Sequence, residues 1–151
     1  MPRVRLFGLR GGQLHGMRVA VLGGVRMSRQ KAKGTRFETA VLRYLRDRIG
    51  DPEGMIHRQT LHGNADEGDI KGLYINTRSL VLECKNVNRF SLSDWLEQAR
   101  QEAANAGADY GMVVFHRPGR GEASMGDQYV LMDLDTLARI AGAQDENKER
   151  E

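Results

Sequence analysis

The sequence predicts an α/β protein whose mixed central β-sheet is flanked by α-helices, in the order α-β-β-β-α-β. Three observations predict it. Residues 35–48 and 92–106 carry apolar side chains at helical spacing. Four short segments, 55–61, 69–75, 80–85 and 110–115, are alternating or continuously apolar and are bounded by turn residues. The last two of these flank the second helix. Strand, helix and strand then form a crossover, which makes those strands parallel and the connection right-handed.

Taken in order, residues 1–33 show no sustained periodicity, apart from a short run at 19–22 that suits a strand. Thr35 opens the first helix. Thr35-Arg36-Phe37-Glu38 fits a capping box, with Thr35 as N-cap and Glu38 reaching back to its amide. Val41, Leu42, Leu45 and Ile49 form an apolar stripe, and Glu38 lies one turn ahead of it on the same side. Gly50-Asp51-Pro52-Glu53-Gly54 stops the helix. Residues 55–61 alternate as a strand, 62–68 form a polar turn, and 69–75 form the second strand. Asn76-Thr77-Arg78-Ser79 reads as a hairpin loop before the third strand at 80–85. Ser91 caps the second helix, with apolar positions Leu92, Trp95, Leu96, Ala99, Ala103 and Ala106. The three alanines let it lie close on a sheet. Residues 110–115 are apolar throughout, as in a central strand covered on both faces. A Gly-rich basic loop follows at 116–127, then a strand at 128–132. A short helix capped by Asp133 or Asp135 runs through Ala141, and a charged tail follows. The expected organisation is a basic N-terminal extension (1–33), one folded domain (34–142) and the tail (143–151).

A chain of 151 residues with 40% hydrophobic content can bury a core as one domain. No apolar run approaches the ~20 residues that span a bilayer. A single cysteine, Cys84, forbids an internal disulfide and any zinc site built on cysteines, and points to a reducing cytoplasm. The net charge of +3 hides an asymmetry. Nine Lys and Arg and no acid fall within residues 1–37, which leaves 14 basic and 20 acidic residues for the rest. A basic arm on an acidic body suits nucleic acid phosphates. Met17 and Met27 also read as alternative starts, and Met27 stands just ahead of the first helix. An organelle presequence is disfavoured because Gly11-Gly12 and Gly23-Gly24 interrupt any amphipathic helix.

The chemistry-bearing feature is Gly68-Asp69-Ile70, followed fourteen residues after the aspartate by Glu83-Cys84-Lys85. Side chains two apart on a strand share a face, so Glu83 and Lys85 project together with Val81, and Leu80, Leu82 and Cys84 take the other side. Charges on so apolar a strand must be paired, hydrogen-bonded or metal-bound. Two carboxylates converging beside an ammonium can hold Mg²⁺, or Mn²⁺ in its place, and orient a water for attack on a phosphodiester. Plainer readings exist for each group. Asp69 also suits a turn, Glu83 and Lys85 a structural ion pair, and Glu38 its capping box alone. His57 and His62 point to opposite faces and make a poor metal pair. The acidic group Asp66, Glu67 and Asp69 lacks the calcium-loop pattern.

The D…E-x-K arrangement, in the order helix, strands, amphipathic helix and apolar strand, resembles the PD-(D/E)XK nuclease superfamily over roughly residues 34–116. That resemblance implies a restriction-endonuclease-like core. It implies metal ligation by Asp69, Glu83, the Cys84 backbone carbonyl and Glu38, with Lys85 acting on the attacking water and the phosphate. Gln98 falls where a glutamine lies near the site in related nucleases, although helix solvation explains it equally well. Arg36, Arg89, His116, Arg117 and Arg120 would contact DNA, or are simply solvated charges.

The small size, and the segment Glu83-Cys84-Lys85-Asn86 with its tryptophan-bearing helix and basic, glycine-containing loop, resemble archaeal-type Holliday junction resolvases. They are closer still to resolvase relatives carried by phages of actinobacteria, so a bacterial host cytoplasm is implied. A homodimer that nicks opposing strands of branched DNA would follow. One departure is that residues 55–68 hold no serine where the archaeal enzymes carry a functional one, only Thr60. A nuclease of the same fold acting in restriction, repair or replication, or a non-cleaving DNA-binding module, therefore stays open.

Overall fold

A computed structural model describes residues 28–59 and 66–143. It shows an α/β arrangement in the expected order. The first helix, α1 (Arg29–Ile49), is followed by β1 (His57–Arg58), β2 (Ile70–Ile75), β3 (Arg78–Lys85), α2 (Leu92–Ala106), β4 (Tyr110–Phe115), a 3-10 segment (Glu122–Asp127), β5 (Tyr129–Leu131) and α3 (Leu134–Ile140). The strands form one mixed sheet in the order β1-β2-β3-β4-β5. Only β3 and β4 are parallel, paired from Leu80↔Tyr110 to Lys85↔Phe115, with α2 as the crossover.

Helix α1 starts earlier than the sequence suggests. Ser28 is its N-cap, and the Ser28 hydroxyl accepts from the Lys31 N–H at 3.2 Å. Thr35 therefore lies inside the helix and caps nothing, Glu38 belongs to no capping box, and the helix begins ahead of residue 34. The helix runs through Gly34 because its buried stripe of Phe37, Ala40 and Val41 anchors the following turns. Each large buried side chain there contributes roughly 1.5–3 kcal/mol. Ile49 belongs to the expected stripe but is 59% exposed. Of the expected strand at 55–61, residues 55–59 are described, and among these only His57–Arg58 form a strand. The Asp51 carboxylate takes the Met55 and Ile56 N–H groups at 2.8 Å each, which removes both donors from the ladder. β3 instead begins early, at Arg78, so the hairpin closes on Asn76-Thr77 alone. Asn76 takes φ 57°, the left-handed conformation that a two-residue turn requires.

Ser91 stands at the N-cap of α2, but its hydroxyl bonds the Asp94 carboxylate rather than a helix amide. Asp133 does cap α3, accepting from Thr136 N–H at 2.7 Å. The short run at 19–22, Thr60, His62 and the tail from 144 lie outside the described residues.

The sheet separates two apolar layers. One face packs Leu80, Leu82, Met112 and Val114 against Phe37 and Val41 of α1. The other packs Val113 and Phe115 against Trp95 and Ala99 of α2. As expected, the alanines bring α2 close. A Cβ at Gly111 would stand 2.1 Å from the Ala99 carbonyl oxygen, so only glycine fits there. Among the described residues, no helix is long and apolar enough to cross a membrane.

Candidate active site

The hairpin register sets the site. Because β2 runs antiparallel to β3, the residue that leads into β2 meets the C-terminal end of β3. Asp69 is that residue. Its N–H donates to the Leu82 carbonyl at 2.9 Å, and its Oδ2 accepts from the Cys84 N–H at 2.8 Å. Gly68 makes the approach possible with φ +84°, a conformation that strains any residue with a Cβ. Along β3, Leu82 and Cys84 turn their backbone groups toward β2, while Lys85 accepts from His116 N–H on the β4 side. By that alternation the Cys84 carbonyl lies on the Asp69 edge.

Glu83 and Lys85 share the α2 face, as strand parity requires. The Lys85 ammonium donates to Glu83 Oε1 at 2.6 Å and to Gln98 Oε1 at 2.8 Å. The Gln98 amide nitrogen in turn faces Glu83 Oε1 at 3.2 Å and Glu102 Oε1 at 2.7 Å. One glutamine thus ties the ammonium to two carboxylates. Glu38 reaches from α1 and pairs with Arg58. The Cys84 thiol packs into the α1-side core, away from Glu83.

Burial and repulsion dominate the electrostatics. Burial, with the Glu83 charge second, raises Asp69 from its ordinary 3.8 to about 7, against the Cys84 N–H, which lowers it. The Glu38 charge adds to the rise. Burial also raises Glu83 from 4.5 to about 7, opposed by the hydrogen bond from Lys85 and reinforced by the Glu102 charge. Glu102 is pushed up, chiefly by burial. The Cys84 thiol is pushed well above its ordinary value, first by burial and then by the Asp69 charge.

These groups suit a hard divalent cation. Asp69 and Glu83 are hard oxygen donors whose protons are held chiefly by burial, with the Glu83 charge adding to the rise at Asp69, and a cation would favour their ionised forms. Among the described residues, no three His, Cys, Asp or Glu side chains already surround one point.

Two residues in this cluster escape sequence reasoning. Glu102 is only 1% exposed, and its Oε2 has no hydrogen-bond partner among the described residues. Its signal was legible, since it falls seven residues after Trp95 and next to Ala103 on the buried face of α2. Arg58 carries no comparable signal, because its role depends on α1 crossing near β1.

The expected DNA contacts divide. Arg36, His116 and Arg120 line one cavity. Arg117 stacks over the Tyr129 ring at 5.4 Å, and Arg89 is exposed elsewhere in the loop before α2. Comparison with protein-family models, with curated proteins and with solved structures finds no match.

Proposed function

We propose that this chain is a Mg²⁺-dependent endonuclease that hydrolyses DNA phosphodiesters, with branched DNA such as a four-way junction as its substrate. The observation that carries this reading is the convergence of Asp69, Glu83 and Lys85 at one end of the sheet, with both carboxylates raised to about 7. A purely structural cluster gains nothing from holding like charges together.

Asp69, Glu83 and the Cys84 carbonyl would hold the cation, with Glu38 available if Arg58 lets go. When bound, Mg²⁺ supplies a Lewis acid and lowers the pKa of a coordinated water. Lys85 is held by Glu83 and Gln98 so that its ammonium faces the charge developing on the phosphate. Gln98 positions Lys85, and Glu102 positions Gln98. Water adds to phosphorus and one P–O ester bond breaks, leaving a phosphate monoester and a free hydroxyl. A homodimer would supply two such sites for opposing strands, and the exposed Tyr129, Val130, Leu134 and Leu137 offer apolar surface for it. A reducing cytoplasm would keep Cys84 as a free thiol.

The test is cleavage of labelled four-way junction, fork, duplex and single-stranded DNA with Mg²⁺, comparing wild type with Lys85→Ala. Paired nicks confined to the junction, lost about 10²-fold or more in the variant, are the expected result. Cutting of every substrate, still lost in the variant, would keep the chemistry and move the role to repair, replication or restriction. Junction binding with no cleavage in Mg²⁺ or Mn²⁺ would leave a binding module.

A further inference from the structure

Beside the catalytic end, on the α1 face of the sheet, lies a cavity of about 400 Å³. Several residues of its wall are sequence neighbours of the site. Asn86 in its wall follows Lys85, His116 follows β4, and Phe37 precedes Glu38. We propose that this cavity receives one unpaired nucleotide of the DNA strand next to the cleaved phosphate. The proposal rests on the nuclease reading above and names the substrate feature that the site would select.

Size, floor and rim all point to a nucleotide. The volume falls within the range of small-molecule sites. Phe37, Ala40 and Met125 contribute apolar surface of the kind that a base face packs on. Arg29, Lys33, Arg36 and Arg120 bring four cations to the cavity, against one carboxylate, Glu122. Among the described residues, Arg29 and Arg36 have no carboxylate partner, whereas Lys33 reaches Asn88 at 3.4 Å and Arg120 reaches Asp127 at 3.5 Å. A site for phosphate alone would need no apolar floor, and a groove for an apolar peptide would not gather four cations. A nucleotide carries both chemistries in one molecule. The Asn86 side-chain oxygen also lacks a hydrogen-bond partner among the described residues.

A paired, stacked base cannot enter a cavity of this shape, so only an unpaired or extruded one fits. Branch points and bulges supply such bases at the lowest unstacking cost. The cavity would therefore favour distorted DNA over intact duplex without any serine in the loop before Asp69.

The test uses the full-length chain in EDTA, so that binding is read without cleavage. Affinities are compared for a duplex with a single-nucleotide bulge and for the same duplex fully paired. The variant is Ala32→Leu, which narrows the cavity from an exposed helical position without changing charge. Wild type should prefer the bulge by about 10-fold, and the variant should lose that preference while binding intact duplex as before. Equal binding of both DNAs by wild type, or a preference that survives Ala32→Leu, overturns the proposal even if Mg²⁺-dependent cleavage stands. A parallel NMR titration separates the two readings. Saturable shifts of the Met125 methyl with dAMP, absent with inorganic phosphate and absent in Ala32→Leu, uphold the cavity even if no DNA is ever cut. Identical responses to dAMP and phosphate overturn it.

Discussion

Replacing Asp69 by asparagine should stabilise the metal-free protein at alkaline pH. The folded chain holds the Asp69 carboxyl at about 7, against 3.8 ordinarily, so the folded state binds its proton more tightly than the unfolded state does. That stabilisation is complete below about pH 4 and is lost as pH rises to about 7. Each pH unit of difference is worth about 1.4 kcal/mol, which sets a ceiling of about 4 kcal/mol. Partial solvent access, and the charge shared with Glu83, reduce this to about 2 kcal/mol. The asparagine side chain keeps an oxygen for the Cys84 N–H and carries no charge at any pH. The variant should therefore match wild type near pH 4 and exceed it by about 2 kcal/mol at pH 8. That difference is roughly 7 °C in Tm for a domain of this size. Thermal melts in EDTA from pH 4 to 8 measure it. Saturating Mn²⁺ should reverse the order at pH 8, adding about 2.7 kcal/mol to wild type at a hundred times Kd and nothing to the variant. Parallel pH profiles for the two proteins in EDTA would refute the argument, because Asp69 would then not be strained by its neighbours.

Three further outcomes are expected. Gly111→Ala should cost about 3 kcal/mol or more in denaturant melts, since its Cβ would overlap the Ala99 carbonyl at 2.1 Å and the clash is with backbone. If the chain is the nuclease proposed above, it should also slow cleavage by drawing Gln98 away from Lys85. Glu102→Gln should raise Tm by a few degrees at pH 8 by removing a buried charge. It should lower kcat more than it changes KM, because Gln98 loses the carboxylate that orients it. Ser28→Ala should cost about 1 kcal/mol and increase hydrogen exchange over the first turn of α1, while Thr35→Ala should leave that turn unchanged.

The sequence revealed the sheet and the D…E-x-K triad for the same reason, namely that both depend on strand parity. Leu80, Leu82 and Cys84 alternate with Val81, Glu83 and Lys85, and the two apolar layers confirm that split. The β3–α2–β4 crossover was equally legible from uninterrupted apolar character. The start of α1 was not, because Thr35 and Glu38 mimic a capping box and the charged residues 29–33 hide a helix held by Ser28. The first strand starts later than its alternation suggests, because alternation says nothing of a competing acceptor and Asp51 takes the amides of Met55 and Ile56. Glu102 was missed because the alanines around it read as the whole buried stripe. Arg58 depends on contact between segments distant in sequence, which no local pattern encodes.

The two-residue turn at Asn76-Thr77 has a consequence for how this chain tolerates insertions. Asp69 and Glu83 meet because the pairing started by that turn shifts by one residue between Leu73 and Ile70, which sets Ile70 opposite Leu82. A residue inserted in the turn would lengthen a loop and leave the pair intact. A residue inserted inside β3, between Arg78 and Glu83, would reverse the parity of everything beyond it if pairing were kept. The carboxylate would then point into the apolar layer beneath α1, and the Cys84 thiol would stand on the α2 face in its place. Length variants of this hairpin should therefore divide sharply, with those in the turn retaining the site and those in the strand losing it.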